Sequence, residues 1–148
     1  MDVVFFEKEP SALGADSGLQ YTRSTDSELY TLMCRAAHES NTHVAYVRGK
    51  FCGTLDGFFQ EISSSMRFPN YFGWNWAAFD ECITDLEWLS FSGLLIVIDD
   101  FDLVFGKEKR REREQLRDLL LKYLKRAVAY WSDQKIPIAV CLNHHVSA

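Results

Sequence analysis

Gly93-Leu94-Leu95-Ile96-Val97-Ile98 contains the longest aliphatic run in the chain, and its reading decides the rest. Five aliphatic residues in a row leave no polar face, which is the pattern of a strand buried on both sides in a parallel sheet covered by helices. The run is far too short to cross a bilayer, which takes about 20 apolar residues. Toward the N-terminus, Thr54 can cap a helix whose apolar stripe is Leu55, Phe58, Phe59, Ile62 and Met66. Pro69 stops that helix, because proline cannot continue it and disfavours helical backbone at Phe68. Asn75 offers an N-cap for a second helix over Trp76 to Leu86, and His43 to Arg48 reads as a strand ended by Gly49.

Toward the C-terminus, Glu108 to Trp131 forms a long amphipathic helix. Its buried stripe is Leu116, Leu119, Leu120, Tyr123, Leu124, Ala127, Val128 and Trp131. Pro137 opens a last strand, Ile138 to Leu142. The order β-α-α-β-α-β needs helical crossovers and implies an α/β fold. The sheet is small and parallel, with about three strands, a fourth available from the N-terminus, and helices covering it. In the N-terminal third, Val3 to Phe6 can form a short strand, and Pro10 to Gly18 a loop. Ser27 to Glu39 can form a helix entered through the capping box Thr25-x-x-Glu28. Residues 1–42 are therefore expected to be an N-terminal extension packed on or appended to a core domain over residues 43–148.

A chain of 148 residues has the length of one domain, and 47% apolar with 25% charged residues suits an ordinary globular protein. The N-terminus lacks a basic region and a long apolar run, so a soluble, unexported, cytoplasmic protein is expected. Cys34, Cys52, Cys82 and Cys141 form no C-x-x-C pair and read as reduced, mostly buried thiols, with no metal or cofactor. His144 and His145 read as tail residues. Asp99, Asp100 and Asp102 follow a parallel strand, where α/β proteins place ligands. No phosphate loop accompanies them, and they are expected to be solvated loop acids.

The net charge of −5 is unevenly divided. Phe68 to Gly106 carries seven acids and no Lys, Arg or His, whereas Lys107 to Trp131 carries nine bases against four acids. The first segment attracts cationic partners and repels nucleic acid. It also holds Tyr71, Trp74, Trp76 and Trp88. On the second helix, Trp76, Phe79, Cys82, Ile83 and Leu86 share one stripe, expected to be buried. Ala77, Asp80, Glu81 and Thr84 fall on the opposite side. Acids near a helix N-terminus are also favoured by the macrodipole alone.

The stretch Phe68-Pro69-Asn70-Tyr71-Phe72-Gly73-Trp74-Asn75-Trp76-Ala77-Ala78-Phe79-Asp80-Glu81-Cys82-Ile83 resembles the signature segment of the barstar family of ribonuclease inhibitors. The likeness runs on through Thr84-Asp85-Leu86-Glu87-Trp88, and the order of elements from about His43 to Asn143 is similar to that family's fold. The resemblance implies that the loop and second helix plug the active site of a cationic nuclease or toxin in a 1:1 complex. It places the interface tyrosine at Tyr71 and the dominant inhibitory acid at Glu81, one methylene longer than the family's aspartate. A second acidic position is Ala77 here, and the place of an interface tryptophan is taken by Asp80. The partner-binding set is thus Tyr71, Gly73, Trp74, Ala77, Asp80, Glu81, Thr84 and Asp85, with Gly73 supplying a turn conformation. A nuclease site holds phosphate, so carboxylates and rings can imitate phosphates and bases there.

A diverged regulatory module with a non-nuclease partner is the alternative, motivated by Ala77 and Asp80. A glycosidase-like carboxylate pair is disfavoured, because Asp80 and Glu81 are adjacent on one helix and cannot flank a cleft. With no catalytic triad, phosphate loop or dinucleotide fingerprint, the chain reads as a non-enzyme that neither enters membranes nor binds nucleic acid directly.

Overall fold

A computed structural model of the chain describes residues 18–39 and 41–147. The strand expected at Val3 to Phe6 lies outside them. In chain order the elements are β1 (Leu19–Ser24), α1 (Asp26–Glu39), β2 (Thr42–Arg48), α2 (Leu55–Met66), α3 (Trp76–Ile83), β3 (Gly93–Asp99), α4 (Arg110–Asp133) and β4 (Ile138–His145). Short 3-10 turns at Gly49–Phe51 and Phe101–Leu103 follow β2 and β3. The sheet has four strands in the order β1-β4-β3-β2, all parallel. The α/β class and the covered parallel sheet are as the sequence implies.

Every residue of β3 is buried, as its unbroken aliphatic run requires. Its alternate side chains serve two separate cores. Leu94, Ile96 and Ile98 point into the larger one, built with Phe58, Phe59 and Ile62 of α2, Phe79 and Ile83 of α3, and Leu120 and Leu124 of α4. Leu95 and Val97 point the other way, onto Leu29, Leu32 and Ala36 of α1, with Ala139 and Cys141 of β4. This arrangement follows from crossover handedness. The chain passes from β1 to β2 across the whole sheet in one direction and returns through β3 to β4 in the other. Right-handed crossovers taken in opposite directions put their helices on opposite faces.

The caps are those the sequence announces. Thr25 Oγ1 accepts from the Glu28 N–H at 3.2 Å while Glu28 Oε1 accepts from the Thr25 N–H at 3.0 Å. Thr54 Oγ1 accepts from the Gly57 N–H at 3.1 Å.

Four features depart from expectation. The fourth strand is Leu19–Ser24, a stretch in which Gln20, Thr22 and Arg23 break the apolar pattern because it is a sheet edge paired only with β4. Helix α3 ends at Ile83, not Leu86. The Thr84 hydroxyl donates to the Asp80 carbonyl at 2.7 Å, and Leu86 turns into left-handed backbone (φ 52°) while staying buried. His144 and His145 are strand residues paired with Arg23 and Ser24, not a tail. Asp99 is no solvated loop acid: it is 4% exposed, because Tyr46 and Asn143 close over it with hydrogen bonds.

The close approach of the two 3-10 turns depends on Gly49. A Cβ there would collide with the carbonyl oxygens of Asp99 and Asp100. The cysteines are free thiols, three of them buried. Burial, with the nearby Glu61 carboxylate adding to it, pushes the Cys52 thiol up to about 12.

Candidate functional site

The segment between α2 and α3 is an exposed loop on an aromatic foundation. Helix α2 terminates at Arg67, whose left-handed backbone (φ 54°) lets the Phe68 N–H reach the Ser63 carbonyl at 2.9 Å. Phe72 is the loop's anchor: 5% exposed, it packs on Phe59 and Phe68 with ring centroids 5.6 and 5.0 Å away. Phe68 in turn meets Trp88, whose Nε1–H donates to the Met66 carbonyl at 2.9 Å. Around this anchor Tyr71 and Trp74 stand out, 62% and 49% exposed.

Trp74, not Gly73, carries the left-handed turn conformation (φ 56°), so the turn role expected of Gly73 falls to its neighbour. A bulky residue in that region is strained. It is bracketed on one side by the Phe72 ring at 5.6 Å and on the other by Asn75. Asn75 caps α3 as expected: its Oδ1 accepts from the Ala78 N–H at 2.9 Å and its Nδ2 donates to the Gly73 carbonyl at 3.1 Å. One side chain thereby fixes both the loop end and the helix start.

Helix α3 turns Phe79, Cys82 and Ile83 inward. Trp76 is half-buried and stacks on Tyr123 of α4, centroids 5.5 Å apart and planes 6° from parallel. Trp131 Nε1–H donates to the Ile83 carbonyl at 2.8 Å and pins the far end. The opposite side shows Ala77 and Glu81 exposed and Thr84 half-buried, with Asp85 exposed just beyond the helix. The Tyr71 hydroxyl is raised above its ordinary value by desolvation and then by Asp85, Cys82, Glu87 and Glu81, so these groups share one acidic neighbourhood.

Asp80 is the exception among the acids. It is half-buried and paired with Arg126 of α4, whose Nε and Nη2 lie 3.3 Å from the two carboxylate oxygens. The structure thus brings Tyr71, Glu81 and Asp85 together on open surface, leaves Trp74 exposed on the same loop as Tyr71, and ties Asp80 to its own molecule. Arg126 escaped the sequence reading because, within a run of basic residues, nothing distinguishes the one that faces α3.

These features define a small parallel α/β protein that presents a braced, acidic and aromatic loop and helix. Residues 42–143, about two-thirds of the chain, match the family model described as Barstar (barnase inhibitor). The chain belongs to the barstar family. No curated protein matches it. Among the described residues no helix is long and apolar enough to cross a membrane.

Proposed function

We propose that this chain is a cytoplasmic, non-enzymatic inhibitor that forms a 1:1 complex with a ribonuclease or nuclease toxin and plugs its active site. Tyr71, Gly73, Trp74, Ala77, Glu81, Thr84 and Asp85 contact the partner. The family's description as barnase inhibitors supports the class of partner. The observation that carries the reading is Glu81, an exposed carboxylate on a helix held at both ends, in the same acidic neighbourhood as exposed Tyr71. A nuclease site is a cationic basin, and a pre-positioned carboxylate entering it gains attraction without paying to order a flexible loop. Small, exposed Ala77 leaves space for a partner loop to approach.

Titration against a panel of microbial ribonucleases, following RNA cleavage, tests this. One equivalent is expected to abolish the activity of the cognate enzyme. Glu81→Ala is expected to weaken the complex by more than about tenfold, since truncating one partner of a buried charge pair costs about 2–5 kcal/mol. Unchanged affinity in that variant removes Glu81 from the interface.

The Asp80–Arg126 pair favours a second reading, a diverged module with a non-nuclease partner, because it neutralises an acid at a family interface position. Inhibition by Arg126→Ala where the native chain gives none would show that the internal pair had turned a nuclease inhibitor away from its target.

A further inference from the structure

We propose that Asp26, Asp99 and His145 form a binding site for one divalent transition-metal ion of the zinc class, at the carboxyl ends of β1, β3 and β4. One ligand atom from each lies within 4.8 Å of the other two. His145 Nδ1 and Asp26 Oδ1 are 3.3 Å apart. That is hydrogen-bond distance, and it is also close to the spacing of about 3.4 Å between two ligands about 2.0–2.1 Å from one tetrahedral ion; the Asp99 oxygen, within 4.8 Å, would draw closer to join them.

Asp99 supplies the second, independent reason. Its carboxylate is buried, and among the described residues no Lys, Arg or His pairs with it. A buried charge is costly unless it is paired or binds a metal. Oδ1 accepts from Asn143 Nδ2 and from the Asp100 N–H, both at 2.9 Å, and Oδ2 accepts from the Tyr46 hydroxyl at 3.2 Å. Donors of this kind set the orientation of a ligating carboxylate.

Position in the fold points the same way. The chain leaves β1 for α1 on one face of the sheet and leaves β3 for α4 on the other. Where neighbouring crossovers diverge to opposite faces, α/β proteins have a crevice at the strand ends that takes ligands. Asp26 opens α1, Asp99 ends β3 and His145 ends β4. Two carboxylates balance a doubly charged ion. The imidazole favours zinc or a similar transition ion over calcium or magnesium, which prefer oxygen ligands alone. Water completes the coordination. Asp26 and His145 both lie outside the family-matched residues 42–143, so the ion would clamp the β1–α1 unit to the ends of β3 and β4.

The test uses the full chain with Zn²⁺ as probe, by calorimetry and by metal analysis after dialysis. One Zn²⁺ per chain and a raised melting temperature are expected. Asp26→Ala, at an exposed position, and His145→Ala, at a half-buried one near the end of β4, are expected to keep the native circular dichroism. Each should weaken binding at least about tenfold, the scale on which even outer partners of a ligand register. His144→Ala, which removes the neighbouring contact to Asp102 at 3.3 Å, is expected to leave binding unchanged. Co²⁺ in place of Zn²⁺ should give the weak visible bands of nitrogen and oxygen ligands. A folded native chain that does not bind Zn²⁺, binding that survives both substitutions, or intense thiolate-to-cobalt bands would each overturn the proposal.

Discussion

Trp74 has a side chain that suits a partner and a backbone that suits glycine. With φ at 56°, a non-glycine residue costs about 1–2 kcal/mol, and the half-exposed ring recovers part of this against Phe72. Trp74→Gly is therefore expected to keep thermal stability within about 1 kcal/mol of the native chain. Under the proposed function it weakens the nuclease complex, and urea denaturation beside an inhibition titration separates the two effects. A large loss of stability in this variant would show that the ring is structural.

Glu61 links residue chemistry to acid stability. Its hydrogen bonds from Arg48, at 2.9 and 3.0 Å, hold its carboxyl below the ordinary value near 4.5, against partial burial that acts to raise it. A depressed folded-state pKa means that the unfolded chain binds protons first as pH falls. The pair's contribution is therefore complete above about 4.5 and is lost as pH drops through the lower, folded value. Glu61→Gln is expected to melt lower than the native chain at pH 7. The gap should close as melting temperatures are taken down below pH 4.5. A gap that stays constant with pH would assign the effect to packing.

At the scale of elements, α3 is only eight residues long and depends on its ends. Asn75→Ala removes the hydrogen bond to the Ala78 N–H and the link to the Gly73 carbonyl. A loss of about 1 kcal/mol is expected from the cap alone, readable as a lower urea midpoint with an unchanged slope. The start of α3 was legible in the sequence because capping is local: an asparagine after a Pro-broken loop and before an apolar stripe leaves few alternatives. Its end was not, because the Ile83 carbonyl there is taken by the Trp131 Nε1–H, 48 residues further along. Strand β1 was missed for a related reason. Leu19-Gln-Tyr-Thr-Arg-Ser24 has little apolar periodicity of its own and becomes a strand through pairing with β4. Asp99 was misread because the closing partners, Tyr46 and Asn143, belong to other strands. Within the candidate site, the exposed set on α3 followed from helical spacing, whereas the Asp80–Arg126 pair is a contact between helices that spacing cannot reveal.

For the molecule as a whole, the consequence lies in the two faces of the sheet. The family match begins at residue 42, yet α1 lies before it and covers Leu95, Val97, Ala139 and Cys141. Deleting residues 1–40 uncovers that apolar face and strips the edge strand from β4. The truncated chain is expected to bind the dye ANS, to sediment as oligomers and to melt well below the full chain. A monomeric truncation with native stability would make β1 and α1 an appendage rather than part of the fold.

The parallel register of β1 on β4 also bears on how the chain is made. Ser24 and Asn143, joined by a hydrogen bond, are 119 residues apart, and β4 leaves the ribosome after the other three strands of the sheet. Until it does, β1 has no neighbour and α1 cannot complete its seat on Ala139 and Cys141. Such long-range closure slows folding and leaves strand edges open to other chains. The nascent protein thus passes through a stage in which β2, β3 and helices α2 to α4 can assemble while the N-terminal unit waits, and chaperones would meet it in that half-closed form.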